Sequence, residues 1–258
     1  MSAIASHLQA VNSAIADACK LAGRTDRPAL LAVSKTQSAS ALREAYAAGQ
    51  IRFGENYVQE AINKQAELGD LAIEWHFIGP IQSNKTQLIA QHFDWVHSVD
   101  RLKIAQRLSS ARGATSLPLN ICIQVNVSLE ASKSGVTSSE TLALAETVAS
   151  LPGLRLRGLM AIPAPTDDVR EQRAQFHAVR TLFDQLQATH PELDTLSIGM
   201  SQDYPAAIAE GATIVRIGTA IFGARRPHAT STPPSAPAQS MSASESPHLN
   251  LAEEQSPT

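Results

Sequence analysis

The chain has 258 residues, 43% hydrophobic and 17% charged, which is ordinary globular composition and enough for a large core. A net charge of -3 and only 4% aromatic residues leave no electrostatic footprint for nucleic acid or an anionic membrane and no stacking platform for single strands. No run of about 20 apolar residues suggests a membrane span.

The first segment, Ser2 to Leu21, places Ile4, Leu8, Val11, Ile15 and Ala18 at helical spacing. Met1 to Lys20 has no basic stretch followed by a long apolar core, so no secretory signal is expected. A repeating unit follows: an apolar run of strand length, a small or polar turn, then an amphipathic stretch. The spacing predicts strands near Ala29–Ser34, Ile51–Gly54, Ile73–Ile78, Trp95–His97, Leu119–Asn126, Leu154–Leu159, Thr195–Ile198 and Thr213–Ile217. It predicts helices between them at Ala39–Ala48, Tyr57–Leu68, Asn84–His92, Asp100–Arg112, Ser139–Ser150, Asp168–Thr189 and Tyr204–Glu210. Several strands are apolar throughout, as in parallel sheets covered on both faces. Strand–helix alternation about eight times over roughly 220 residues is the arithmetic of a single α/β TIM barrel with an extra N-terminal helix. An open doubly wound sheet is the alternative, weakened by the lack of GxGxxG after the first strand. From 226 to 258 the chain is rich in Ser, Pro, Ala, Glu and Gln, and it reads as a disordered tail behind a barrel domain spanning 1–225.

Lys35 ends the apolar run Ala29–Ser34. A lone lysine at a strand end is ordinarily solvated, yet this is the end of a barrel strand where active sites gather. Burial there would lower a lysine pKa from about 10.4 and supply the neutral amine that attacks a carbonyl. Downstream, Ser201 follows the seventh strand, and Gly218 and Thr219 follow the eighth. Barrels commonly bind phosphate at the loops after these two strands, although turns and caps use the same residues. Closure of a barrel would set the eighth strand beside the first, and Lys35 beside this cradle. An amine next to a phosphate cradle is what pyridoxal 5′-phosphate (PLP) requires for a Schiff base.

Arg216 interrupts an apolar strand and needs a partner: a buried carboxylate such as Glu210 or Asp203, or the pyridine nitrogen of PLP. Asn56, after the second strand, either reaches the cofactor face or caps a helix. Lys133 lies on a loop of the same rim and reads as solvated. His76, His97, Trp75 and Trp95 read as core or rim residues. Cys19 and Cys122 fit no metal or redox spacing; two free thiols suit a reducing cytosol. No carboxylate or histidine cluster suggests a metal.

With these residues in place, the chain resembles the pyridoxal phosphate homeostasis proteins, an alanine racemase N-terminal-domain-like family. The matching segments are Ala32–Lys35, Phe53–Tyr57, His76–Lys85, Val125–Asn126, Ser132–Gly135, Gly158–Met160, Gly199–Tyr204 and Val215–Gly223. The resemblance implies a TIM barrel carrying PLP on Lys35, with Ser201, Gly218 and Thr219 at the phosphate and Arg216 at the ring nitrogen. It implies a carrier or buffer of PLP in vitamin B6 and amino-acid homeostasis, without established catalysis and with apo-PLP enzymes as recipients. A monomer is expected, since the β-domain of the racemases is missing, and the expected compartment is the cytoplasm. The alternative is an amino-acid racemase of the alanine type. Two-base racemisation needs a second acid/base opposite the lysine. In the racemases that base is a tyrosine from the β-domain, and none of Tyr46, Tyr57 and Tyr204 lies beyond the barrel. The segment after Arg225 departs from the family's usual ending.

Overall fold

A computed structural model describes residues 2–113, 117–127 and 134–223 of the chain. Its eight strands are β1 (Ala29–Val33), β2 (Arg52–Glu55), β3 (Glu74–Phe77), β4 (Trp95–Val99), β5 (Leu119–Val125), β6 (Leu154–Ala161), β7 (Thr195–Met200) and β8 (Ile214–Ile217). They pair in chain order, all parallel, and form a closed barrel. Closure runs from Ala29↔Ile214 to Ala32↔Ile217, which excludes the open doubly wound sheet.

Helices α1 (Ala3–Leu21), α2 (Ala39–Ala47), α3 (Val58–Glu67), α4 (Thr86–His92), α5 (Leu102–Arg112), α6 (Ser138–Ala149), α7 (Val169–Thr189) and α8 (Tyr204–Ala209) match the expected set within two residues. The structure adds a 3-10 turn at Ser83–Lys85 and a last helix, α9 (Thr219–Phe222). Four residues hold barely one helical turn, too few for a hydrophobic period to register. The expected tail, 226–258, and Lys133 lie outside the described residues.

Helix α1 is the addition to the barrel. Ser2 caps it by accepting from Ala5 N, and its buried stripe is Leu8, Val11, Ile15, Ala18 and Cys19. It packs against α2, α8 and α9, the helices that flank the β8–β1 closure. Burial of that stripe contributes roughly 1.5–3 kcal/mol for each large aliphatic side chain.

The strands are covered on both faces, so β4 and β8 are buried along their whole length. The large apolar core lies between the sheet and the helices. The barrel interior is different: a small cluster of Trp95, Cys122 and Met160 sits beside the buried polar residues His76, His97, Ser197 and Arg216. These polar side chains connect the interior to the mouth formed by the strands' C-terminal ends.

Candidate functional site

Barrel closure does the assembling. Leu31 pairs with Arg216 and Ala32 with Ile217, so the chain leaving β8 passes alongside the chain leaving β1. Lys35, Ser201, Arg216, Gly218 and Thr219 then line one cavity of about 160 Å³. Lys35 is half-buried, while Ser201 and Thr219 are exposed and offer hydroxyls. The cavity shares Met200, Ser201 and Thr219 with a larger one of about 600 Å³, lined by Ile162, Phe176 and Asp203 among others.

Gly218 stands where two backbones nearly touch. A Cβ there would lie 2.9 Å from Val33 O, a contact that only a hydrogen can occupy. Gly218→Ala is expected to cost roughly 1–2 kcal/mol of stability by forcing β8 away from β1. The denaturant midpoint should fall, and affinity for inorganic phosphate should fall with it. Unchanged values for both would remove Gly218 from the cradle.

Asn56 is placed elsewhere. It lines a third cavity, of about 260 Å³, with Ile78, Gln124 and Ser134, which meets the large one at Ile162. It does not cap α3, whose N-cap is Tyr57 without a side-chain bond. Among the described residues its buried Oδ1 has no hydrogen-bond partner, which suits an acceptor for a ligand donor. The Asn56 backbone is pressed against Gly79, where an added Cβ would fall 2.3 Å from Asn56 O.

Arg216 is buried, and neither expected carboxylate bonds to it. Glu210 accepts from Arg173 and His177, and Asp203 Oδ1 accepts from Met200 N. Arg216 instead donates to Ser197 O and Oγ and to Ala161 O. Burial lowers its pKa to about 10, against the opposing field of Asp203, so the guanidinium stays charged at neutral pH. Among the described residues these bonds use three of its five N–H groups, which leaves two for the cavity it lines.

The family model for the alanine racemase N-terminal domain matches residues 6–226. A pyridoxal phosphate homeostasis protein of Pseudomonas aeruginosa is 62% identical over 226 residues, covering 87% of this chain and 97% of that protein. The chain belongs to the pyridoxal phosphate homeostasis protein family. An Escherichia coli relative of the same name is 54% identical over 229 residues, with 87% and 98% coverage. A solved structure of PipY from Synechococcus elongatus, with PLP bound, is 41% identical with a TM-score of 0.74, covering 85% of this chain and all of that one.

Within this family member, sequence reasoning placed His76 and His97 in the core or rim and missed what they do there. Glu74 Oε1 accepts from His76 Nε2 at 2.7 Å. Burial holds both histidine pKa values below the ordinary range, so both rings are neutral. With its Nε2 protonated toward a carboxylate, His76 offers Nδ1 as acceptor to His97 Nε2–H at 2.9 Å. His97 Nδ1 then accepts from Ser197 Oγ at 2.9 Å, and Ser197 Oγ accepts from Arg216 at 2.9 Å. A single direction of donation therefore runs from Arg216 through the barrel to Glu74. It pins the guanidinium and links it to a distant carboxylate. Strand alternation in His76, His97, Ser197 and Arg216 hints that they face inward, but their pairing was not readable.

Among the described residues, no group of three or more His, Cys, Asp or Glu side chains is arranged to hold a metal ion.

Proposed function

We propose that the protein carries or buffers PLP as a Schiff base on Lys35 and so contributes to vitamin B6 and amino-acid homeostasis. The observation that carries this reading is the shared cavity of Lys35, Ser201, Arg216, Gly218 and Thr219. The donor set fits the group. Two hydroxyls and the backbone at a glycine where an added Cβ would crowd Val33 O suit a phosphate. Arg216 offers permanent donors, so it suits an unprotonated ring nitrogen. Asn56 brings an orphaned acceptor from the neighbouring lobe and completes the proposed set. The PLP-bound PipY supports the same assignment.

Bound PLP supplies an aldehyde that condenses reversibly with amines. Lys35 would supply the amine for that condensation, giving up its two N–H protons with the aldehyde oxygen as water. Ser201, Gly218 and Thr219 fix the phosphate end. Arg216 would offer the ring nitrogen a charged donor and no proton acceptor, and such a ring would be a poor electron sink.

That restraint supports a carrier without catalytic activity. The curated relatives are named homeostasis proteins, not enzymes. The racemase alternative needs a second base, and Tyr46, Tyr57 and Tyr204 line neither the Lys35 cavity nor the large one beside it among the described residues. Alanine, serine and other amino acids are expected to show no α-proton exchange in deuterated water above free PLP, followed by NMR. Exchange well above that background would instead favour the enzyme.

We further propose that the barrel through residue 225 is the binding unit and works as a cytoplasmic monomer that passes PLP to apo-enzymes. Among the described residues no helix is long and apolar enough to cross a membrane. Cys19 and Cys122 are buried free thiols, which suits a reducing compartment.

A further inference from the structure

The turn that carries Lys35 is strained and braced. Thr36, the next residue, has φ of 65°, a left-handed backbone that is costly for a β-branched side chain. Both flanks of Lys35 are held against that cost. On one side Thr36 N donates to Glu60 Oε1 at 2.6 Å. On the other, Ser34 O accepts from Lys64 Nζ at 2.8 Å, and Ser34 Oγ donates to Glu55 Oε1 at 2.6 Å. Lys64 joins the two halves through Glu55 Oε1 at 2.7 Å and Glu60 Oε1 at 2.6 Å.

Lys64 is only 5% exposed and sits on the inner face of α3 with Val58 and Ala61. A buried ammonium is expensive unless every proton finds a partner, and here all three do. Burial pushes the Glu55 carboxyl up, and the neighbouring Lys64 opposes this. Lys64 lines none of the three cavities at the mouth. Its bonds go to Ser34 and to the two carboxylates that grip Ser34 and Thr36, the residues on either side of Lys35.

We propose that Lys64, acting through Glu55 and Glu60, is a positioning residue that holds the strained Ser34–Thr36 turn and so aims the Lys35 amine at the aldehyde carbon of PLP. This rests on the Schiff-base reading above. The brace acts on the C=N-forming step and not on phosphate recognition, because Ser201, Gly218 and Thr219 sit on the loops after β7 and β8.

The test compares two probes. PLP reports condensation; pyridoxine 5′-phosphate, an alcohol that cannot condense, reports the non-covalent contacts alone. In Lys64→Met, the rate of visible absorbance growth with PLP is expected to fall about ten-fold or more, since small displacements of a reacting atom are costly. Affinity for pyridoxine 5′-phosphate should stay within about two-fold of wild type, as for sites that share no partners. Adding Thr36→Gly to Lys64→Met should restore part of the rate, because glycine adopts this φ freely. Glu60→Ala serves where Lys64→Met does not fold: Glu60 is partly exposed, and its loss frees Thr36 N directly. It should slow condensation by at least about three-fold with the same unchanged alcohol affinity. An unaltered rate in the folded variants, or a parallel loss with both probes, overturns the brace alone. A wild-type chain that never condenses with PLP overturns the Schiff-base reading and the brace with it.

Discussion

Lys35→Ala is expected to give a colourless protein that loses PLP on gel filtration, while the fold persists. Lys35 is half-buried on a turn beyond β1, so truncation removes little packing. What vanishes is the covalent bond, leaving only phosphate and ring contacts to hold the ligand. Weak, reversible binding should remain, visible as PLP-dependent stabilisation that needs excess ligand. Lys64 is no substitute amine, because its three protons are committed to Ser34, Glu55 and Glu60. A yellow Lys35→Ala protein that survives gel filtration would move the cofactor to another residue.

Arg216→Gln has the second largest expected effect. A charge-assisted hydrogen bond contributes roughly 1.5–3 kcal/mol, which corresponds to about 10- to 150-fold in PLP affinity. The visible band should also shift, since glutamine places a neutral group at the ring. Stability should change less than affinity. Losing the guanidinium leaves Ser197 O and Ala161 O short of donors, yet it also removes a buried charge with no directly bonded carboxylate. Titration of the variant with PLP, read by absorbance, checks both effects. Unchanged affinity and an unshifted band would confine Arg216 to bracing β6, β7 and β8.

The barrel was legible because its strands are covered on both faces. Runs such as Ala29–Val33 are apolar without alternation, Ile214–Ile217 is apolar apart from Arg216, and the helices between them carry clear stripes. Against that background two charges stood out, Lys35 at a strand end and Arg216 within one. Closure of β8 on β1 then made them neighbours without further assumption. The interior chain was not legible. His76 and His97 are 21 residues apart and His97 and Ser197 are 100 apart, separations that carry no periodic signal. Lys64 carried no signal in the sequence that set it apart. Glu60 and Lys64 form an i,i+4 pair that reads as solvated, although Val58, Ala61 and Lys64 share one buried face. Asn56 was readable as a residue near the mouth, but its place in a cavity that adjoins the large one at Ile162 was not.

The most direct measurement is borohydride reduction of the wild-type protein saturated with PLP, followed by peptide mass analysis. A stable PLP-sized addition on the peptide containing Lys35, with the visible band lost on reduction, is the expected result. No addition, or an addition confined to other lysines, would contradict the account.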